Sequence, residues 1–256
     1  MIYPIKIKYF AYASRHFFVF IVIKLNCLCP KIGLPSHSLR GILFHMLDIL
    51  SKLLGGQARV KLMRLFMMNE NEAYDADMAN TRAKVSLAQV RRELAFLTNL
   101  GFIKRKSFVK VTTNKKGKVK RKRVHGYTFN QDFQYKEEIR AILVGSRLID
   151  HDDVTSRFKK AGSVKLLAVA GVFTNERESR LDALIVMDKP NQAKIEKVIK
   201  NFEAEIGKEL VYAFFPTAEF LYRLNMYDKL VWDMFDYPHE LLVDRAGFST
   251  QLQRKS

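Results

Sequence analysis

SLAQVRRELAFLTNLGFIKRKSFVKVTTNKKGKVKRKR, residues 86–123, changes character halfway along. Ser86 followed three residues later by Gln89 is a capping box, in which side chains satisfy the free N–H groups at a helix start. Leu87, Val90, Leu94, Leu97 and Leu100 then recur on one helical face until Gly101 supplies a stop. The opposite face carries Ala88, Arg92, Ala95 and Asn99, flanked by Gln89, Phe96 and Arg91. From residue 104 to 123 there are eleven basic side chains and no acidic one.

A disordered basic tail lacks alternating apolar residues. This run has them: Phe102, Ile103, Phe108, Val109 and Val111 before Asn114–Lys118, and Val119, Val124, Tyr127 and Phe129 after it. The pattern predicts a β-hairpin turning at 114–118, with its apolar residues docked on the helices. Lys104, Arg105, Lys106, Lys115, Lys116, Lys118, Lys120, Arg121, Lys122 and Arg123 then line its tip and edges. A helix face of small, basic and amide side chains is what any solvated helix can present. It is also the set that reaches base edges in a major groove, where Arg reads guanine and Gln or Asn reads adenine. A basic hairpin directly after such a helix, a wing, favours the second reading, because phosphate contacts set register while the helix reads sequence. Ser86, Ala88, Gln89, Arg91, Arg92 and Asn99 with the ten basic hairpin residues form the expected DNA-binding set.

The whole composition agrees. The chain has 256 residues and a net charge of +18, and 48% of it is hydrophobic, enough for real cores and pointing to polyanionic partners. Residues 1–130 hold 25 Lys and Arg against 6 Asp and Glu, whereas 131–256 hold 19 against 20. Two domains are expected, one facing an anion and one electrically ordinary. Cys27 and Cys29 are the only cysteines, which excludes a disulfide framework and makes cytoplasmic residence the default; no His or Cys cluster accompanies them as metal ligands.

Residues 1–45 mix aromatic and basic side chains, and their longest apolar run, Phe17 to Ile23, is too short for a membrane span. A helical start appears at Met46, where translation is expected to begin, leaving 1–45 as an extension. Apolar spacing predicts helices over 58–68 and, less sharply, 72–82; Gly55-Gly56 breaks the chain before them and lacks the Lys-Ser or Lys-Thr of a phosphate loop.

After a bridging helix over 135–144, the remainder alternates. A helix capped by Asp152 or Asp153 ends at Gly162; strands are expected at 164–172, 180–187 and 209–215, and helices at 192–206 and within 217–235, with Met226 and Trp232 in the core. His151-Asp152-Asp153 is better explained by capping than by metal binding. Domain limits fall at 46–145 and 146–245, with a polar tail from 246.

Residues 46 to about 145, above all 86–105, resemble the winged helix-turn-helix of small prokaryotic transcriptional regulators, in which V-R-R-E-L…L…L-G-F-I is a recurring recognition-helix ending. The second half, about 164–235, resembles a minimal nucleotidyltransferase domain. In that family a Gly-Ser pair ends the first strand and a D-x-D pair on the next holds two metal ions. Here GVFTN (171–175) stands at the first motif, Arg180 at the first carboxylate and Asp182 at the second, and no acid lies on VYAFF. One carboxylate beside an arginine cannot hold two divalent cations. The expectation is therefore an α+β and α/β two-domain protein: a three-helix winged domain and a small mixed α/β domain that is catalytically inactive and serves sensing or dimerisation. Its function would be sequence-specific regulation of transcription on duplex DNA as a homodimer, without a cofactor or a membrane. A phosphorylated effector could bind at Arg180 and Asp182; otherwise Asp182 pairs with Arg180 or a lysine. The alternatives are an active nucleotidyltransferase acting on nucleic acid or protein, and an RNA-binding protein.

Overall fold

A computed structural model of the chain describes residues 50–113, 119–144, 150–174 and 179–248, all within one compact unit, Leu47–Ser256. The extension, the start at Met46, both cysteines and the hairpin tip with Lys115, Lys116 and Lys118 lie outside the described residues. The first lobe runs α1 (Gln57–Met68), α2 (Ala76–Ala83), α3 (Leu87–Asn99), β1 (Ile103–Thr113), β2 (Val119–Phe129) and α4 (Lys136–Leu143). Val60, Leu62, Leu65 and Phe66 of α1 meet Val90, Leu94 and Leu97 of α3 in its core. α2 starts later than the apolar spacing suggests: Asp75 is the N-cap, accepting from the Met78 amide at 2.7 Å. Just before it Tyr74 is extended, exchanging both backbone hydrogen bonds with Tyr127 of β2 at 2.9 Å. Backbone pairing thus overrode local helical preference between Glu72 and Asp75.

The end of α3 aims the hairpin. Gly101 is left-handed (φ +77°), its amide bonds Thr98 and the Phe102 amide bonds Leu97, a Schellman closure that leaves only one residue before β1. Phe102 is fully buried and packs edge-on against Phe129 and Phe133 at 5.2 and 5.3 Å. Burial of one such ring contributes about 1.5–3 kcal/mol. Leu100, expected on the buried stripe, is 51% exposed because the helix closes at that residue. The hairpin differs from expectation in a more instructive way. Ile103 and Phe129 at its base are buried, yet Val109, Val111 and Val119 are each more than half exposed. Eleven-residue strands extend roughly 35 Å, beyond the reach of the helices, so the outer apolar residues have nothing to dock on.

The second lobe contains α5 (His151–Ala161), β3 (Val164–Val169), β4 (Ala183–Met187), α6 (Gln192–Ile206), β5 (Tyr212–Pro216), α7 (Thr217–Asn225), α8 (Lys229–Asp236) and β6 (Glu240–Asp244). The sheet order is β5-β4-β3-β6, with only β4 and β5 parallel. Leu167, Val169, Ile185 and Met187 pack under α5 and α6, whereas Leu166, Ala168, Leu184 and Val186 pack under α7 and α8. Burial on both faces explains why these strands read as continuous apolar runs. The helix cap is Asp150, accepting from the Asp152 amide, so Asp152 and Asp153 sit in the first turn. Met226 is 63% exposed at the end of α7, while Trp232 packs beside the core and stacks on Tyr227. Edge strand β6 was not expected, and beyond it Phe248, placed by composition in a polar tail, is buried against Phe220. The chain is mixed α+β, with two small sheets.

The lobes meet where α6 crosses α1 and α2. Gly207, left-handed at φ +86°, lies so close to α1 that a Cβ would come within 2.6 Å of the Arg64 carbonyl carbon and the Leu65 nitrogen. Asn69 donates to the Gly207 carbonyl at 2.6 Å. Arg64 is 2% exposed and donates to the carbonyls of Leu143 and Glu205 at 3.0 and 3.1 Å. Burial pulls its guanidinium down to about 10, with the nearby Glu205 charge opposing.

Candidate nucleic-acid interface

Ser86 caps α3 by accepting from the Gln89 amide and donates its hydroxyl hydrogen to Gln89 Oε1 at 2.8 Å. Val90, Leu94 and Leu97 face the core; Ala88, Gln89, Arg91, Arg92, Ala95, Phe96 and Asn99 face out together. Beneath that surface lies a group the sequence reading missed. Glu93 is 2% exposed and accepts from Arg59 Nε of α1 at 2.7 Å. The Arg59 guanidinium in turn covers the Phe96 ring at 3.8 Å. Arg92, largely exposed, leans back to Glu93 at 3.3 Å. An acid three residues after Val90 and four before Leu97 falls inside the apolar stripe, and that position was the available signal.

Register divides the hairpin's charges by type. Side chains alternate across a strand, and Arg105, Val109 and Val111 of β1 pair with Tyr127, Arg123 and Arg121 of β2. One face therefore carries Arg105, Arg121 and Arg123 among valines, continuing the face that Ile103 and Phe129 bury at the base. The other carries Lys104, Lys106, Lys110, Lys120 and Lys122. Lys104 pairs with Asp132, and Lys110, absent from the expected set, pairs with Asp75, both at 2.6 Å. Lys110 and Lys122 stand directly opposite each other, an arrangement that is unfavourable without a counter-charge; Asp75 supplies one. Among the described residues no carboxylate pairs with Arg105, Arg121 or Arg123. The position of the hairpin against the helices is secured at Gly126, where a Cβ would strike the Tyr74 carbonyl oxygen at 2.6 Å.

In the second lobe, Asp182, the residue just before β4, is 6% exposed. One oxygen accepts from the Val172 amide at 2.9 Å and the other from Val211 at 2.8 Å. Gly171 (φ +55°) leaves the space, since its Cβ would lie 2.2 Å from Asp182 Oδ1. Arg180 does not pair with it; it is exposed and bonds Asp233 of α8 at 3.1 Å. The two residues expected to face an effector are thus not brought together, and Asp182 is a brace between the β3–β4 loop and the approach to β5. No group of three or more His, Cys, Asp or Glu able to hold a metal occurs among the described residues, and none of their helices is long and apolar enough to cross a membrane. The chain matches no protein-family model, no curated protein and no solved structure at a significant level.

Proposed function

We propose that the chain is a sequence-specific duplex-DNA-binding transcriptional regulator, with α1–α3 and the hairpin acting as a winged helix-turn-helix and the second lobe as a non-catalytic sensor or dimerisation module. The observation that carries this reading is the outward face of α3, with Gln89, Arg92 and Asn99 exposed, followed after three residues by a ribbon whose arginines have no carboxylate partner among the described residues. Exposed guanidiniums suit phosphates and guanine edges. Asn80 donates to the Val85 carbonyl at 2.5 Å across the three-residue turn from α2 to α3, holding the two helices as a helix-turn-helix requires. A homodimer goes with this reading, since one reading helix spans too few base pairs for much specificity.

The inactivity of the second lobe rests on Asp182. A carboxylate already accepting two backbone amides inside the fold is poorly placed to bridge cations that need several oxygen ligands. The test is titration of the purified full chain with labelled duplex DNA, duplex RNA and single strands over a range of salt. Preferential duplex-DNA binding with a steep salt dependence, about −0.9 per neutralised phosphate, is expected. Tighter binding to structured RNA would overturn the reading, and metal-dependent transfer of label from a nucleoside triphosphate would restore the enzyme.

A further inference from the structure

The second lobe carries a basic surface that nothing in the helix-and-hairpin reading uses. Lys84 ends α2, two residues before the N-cap of α3, in the left-handed region (φ 50°, ψ 46°). A glycine is the cheaper residue there, so its side chain needs a reason. That side chain leaves its own lobe and donates from Nζ to Asn201 Oδ1 of α6 at 2.7 Å. Along the exposed side of α6 stand Lys197 and Lys200, with Lys194 a turn earlier. Burial and the charge of Lys200, with Lys61 and Lys197 behind it, hold the Lys84 ammonium below its usual range; Glu203 is the acid that opposes them. One Glu203 oxygen is already engaged by the Leu210 amide. The concentration of charge does nothing for the unliganded fold, and Gly207 and Arg64 keep α6 in register with α1, so it sits at a constant place against α1 and α2, the helix that leads into α3.

We infer that Lys84, Lys197 and Lys200 form a second phosphate-contact surface, by which the second lobe grips the backbone of the duplex past the N-terminal end of α3. The inference rests on the duplex-DNA reading and extends it. The footprint is then hairpin, reading helix and α6 in sequence, so the lobe expected only to sense or dimerise also lengthens the site. Double-stranded backbone is the occupant because Lys84, which reaches α6, lies two residues before the N-cap of α3, and the surface offers amine point charges whose nearest amide, Asn201, is already engaged by Lys84.

The test uses the full chain and a random-sequence duplex, with affinity measured by fluorescence anisotropy over a salt series. The variants are K84G/K197A/K200A, K197A/K200A, R105A/R121A/R123A on the hairpin, and K229A on α8, which lies across the sheet from α6. The triple α6-side variant should lower the salt slope by about 2.7 and the double by about 1.8, at about 0.9 per contact, with K229A unchanged. K84G relieves a left-handed lysine and should not lower the melting temperature; if it does, the double variant decides. A slope equal to wild type in both, while the hairpin variant weakens binding, overturns this inference and leaves the regulator reading standing. A wild type that binds no duplex overturns both.

Discussion

At the seam between the lobes Arg64 is buried, and its guanidinium is consumed by the carbonyls of Leu143 and Glu205. On the outer hairpin Arg121 and Arg123 stand in solvent, with no carboxylate partner among the described residues. The same side chain is a structural bolt in one place and, in the proposed function, a recognition element in the other, and the difference lies in how much hydrogen-bonding capacity the fold leaves unspent. The seam commits the buried Arg64 guanidinium to two backbone carbonyls and should govern stability. The ribbon leaves Arg105, Arg121 and Arg123 without a carboxylate partner among the described residues and should govern binding.

The contrast is most directly attacked with two glycines of similar backbone conformation. Gly207 and Gly101 are both left-handed, but a Cβ at Gly101 meets nothing within 4 Å. Gly101→Ala should cost about 1 kcal/mol, the backbone penalty alone. Gly207→Ala should exceed 3 kcal/mol, because α1 backbone must move as well. Urea denaturation of both decides it, and similar midpoints would show that the seam is loose. Asp182→Ala comes next, at about 2–3 kcal/mol, since it leaves the Val172 and Val211 amides unpaired; duplex affinity should not change. On the recognition side, Arg92→Ala should leave stability within about 0.5 kcal/mol of wild type and reduce discrimination between sequences by roughly 1–3 kcal/mol if it reads a guanine. Equal weakening on every sequence would instead make Arg92 a phosphate contact.

The smallest effect lies where hairpin meets helix. Burial pushes the Asp75 carboxyl up, but hydrogen bonds from Lys110 and the Met78 amide, with the Lys110 charge, outweigh it and leave it below its ordinary 3.8. A depressed carboxyl contributes stability that is complete above the unfolded value and disappears as pH falls through the folded one. Asp75→Asn retains a capping side chain and should cost about 0.5–1 kcal/mol at pH 7. That difference should shrink as pH drops below 3.8, and a constant difference down to pH 2.5 would mean that the ion pair contributes nothing.

The capping box, the apolar stripe of α3, the stop at Gly101 and the bounds of α6 were all legible as strings, because each depends on neighbours within a turn or two. Binary pattern and turn chemistry likewise announced the hairpin and the buried strands. The cap at Asp150 and the exposure of Leu100 were misread locally, but the larger errors share a cause: each required knowing what lay at a distance. Tyr74 is extended because Tyr127 offers a backbone edge, Val111 is exposed because the helices end short of it, and Phe248 is buried because Phe220 is there to receive it. Asp182 shows this most sharply. Its chemistry reads as a remnant metal ligand until two amides, ten and twenty-nine residues away, take both oxygens. Local order and the sign of the charge were written in the order of residues; the employment of each charge, as bolt, brace or free contact, depended on partners that only the closed fold brings within hydrogen-bonding distance.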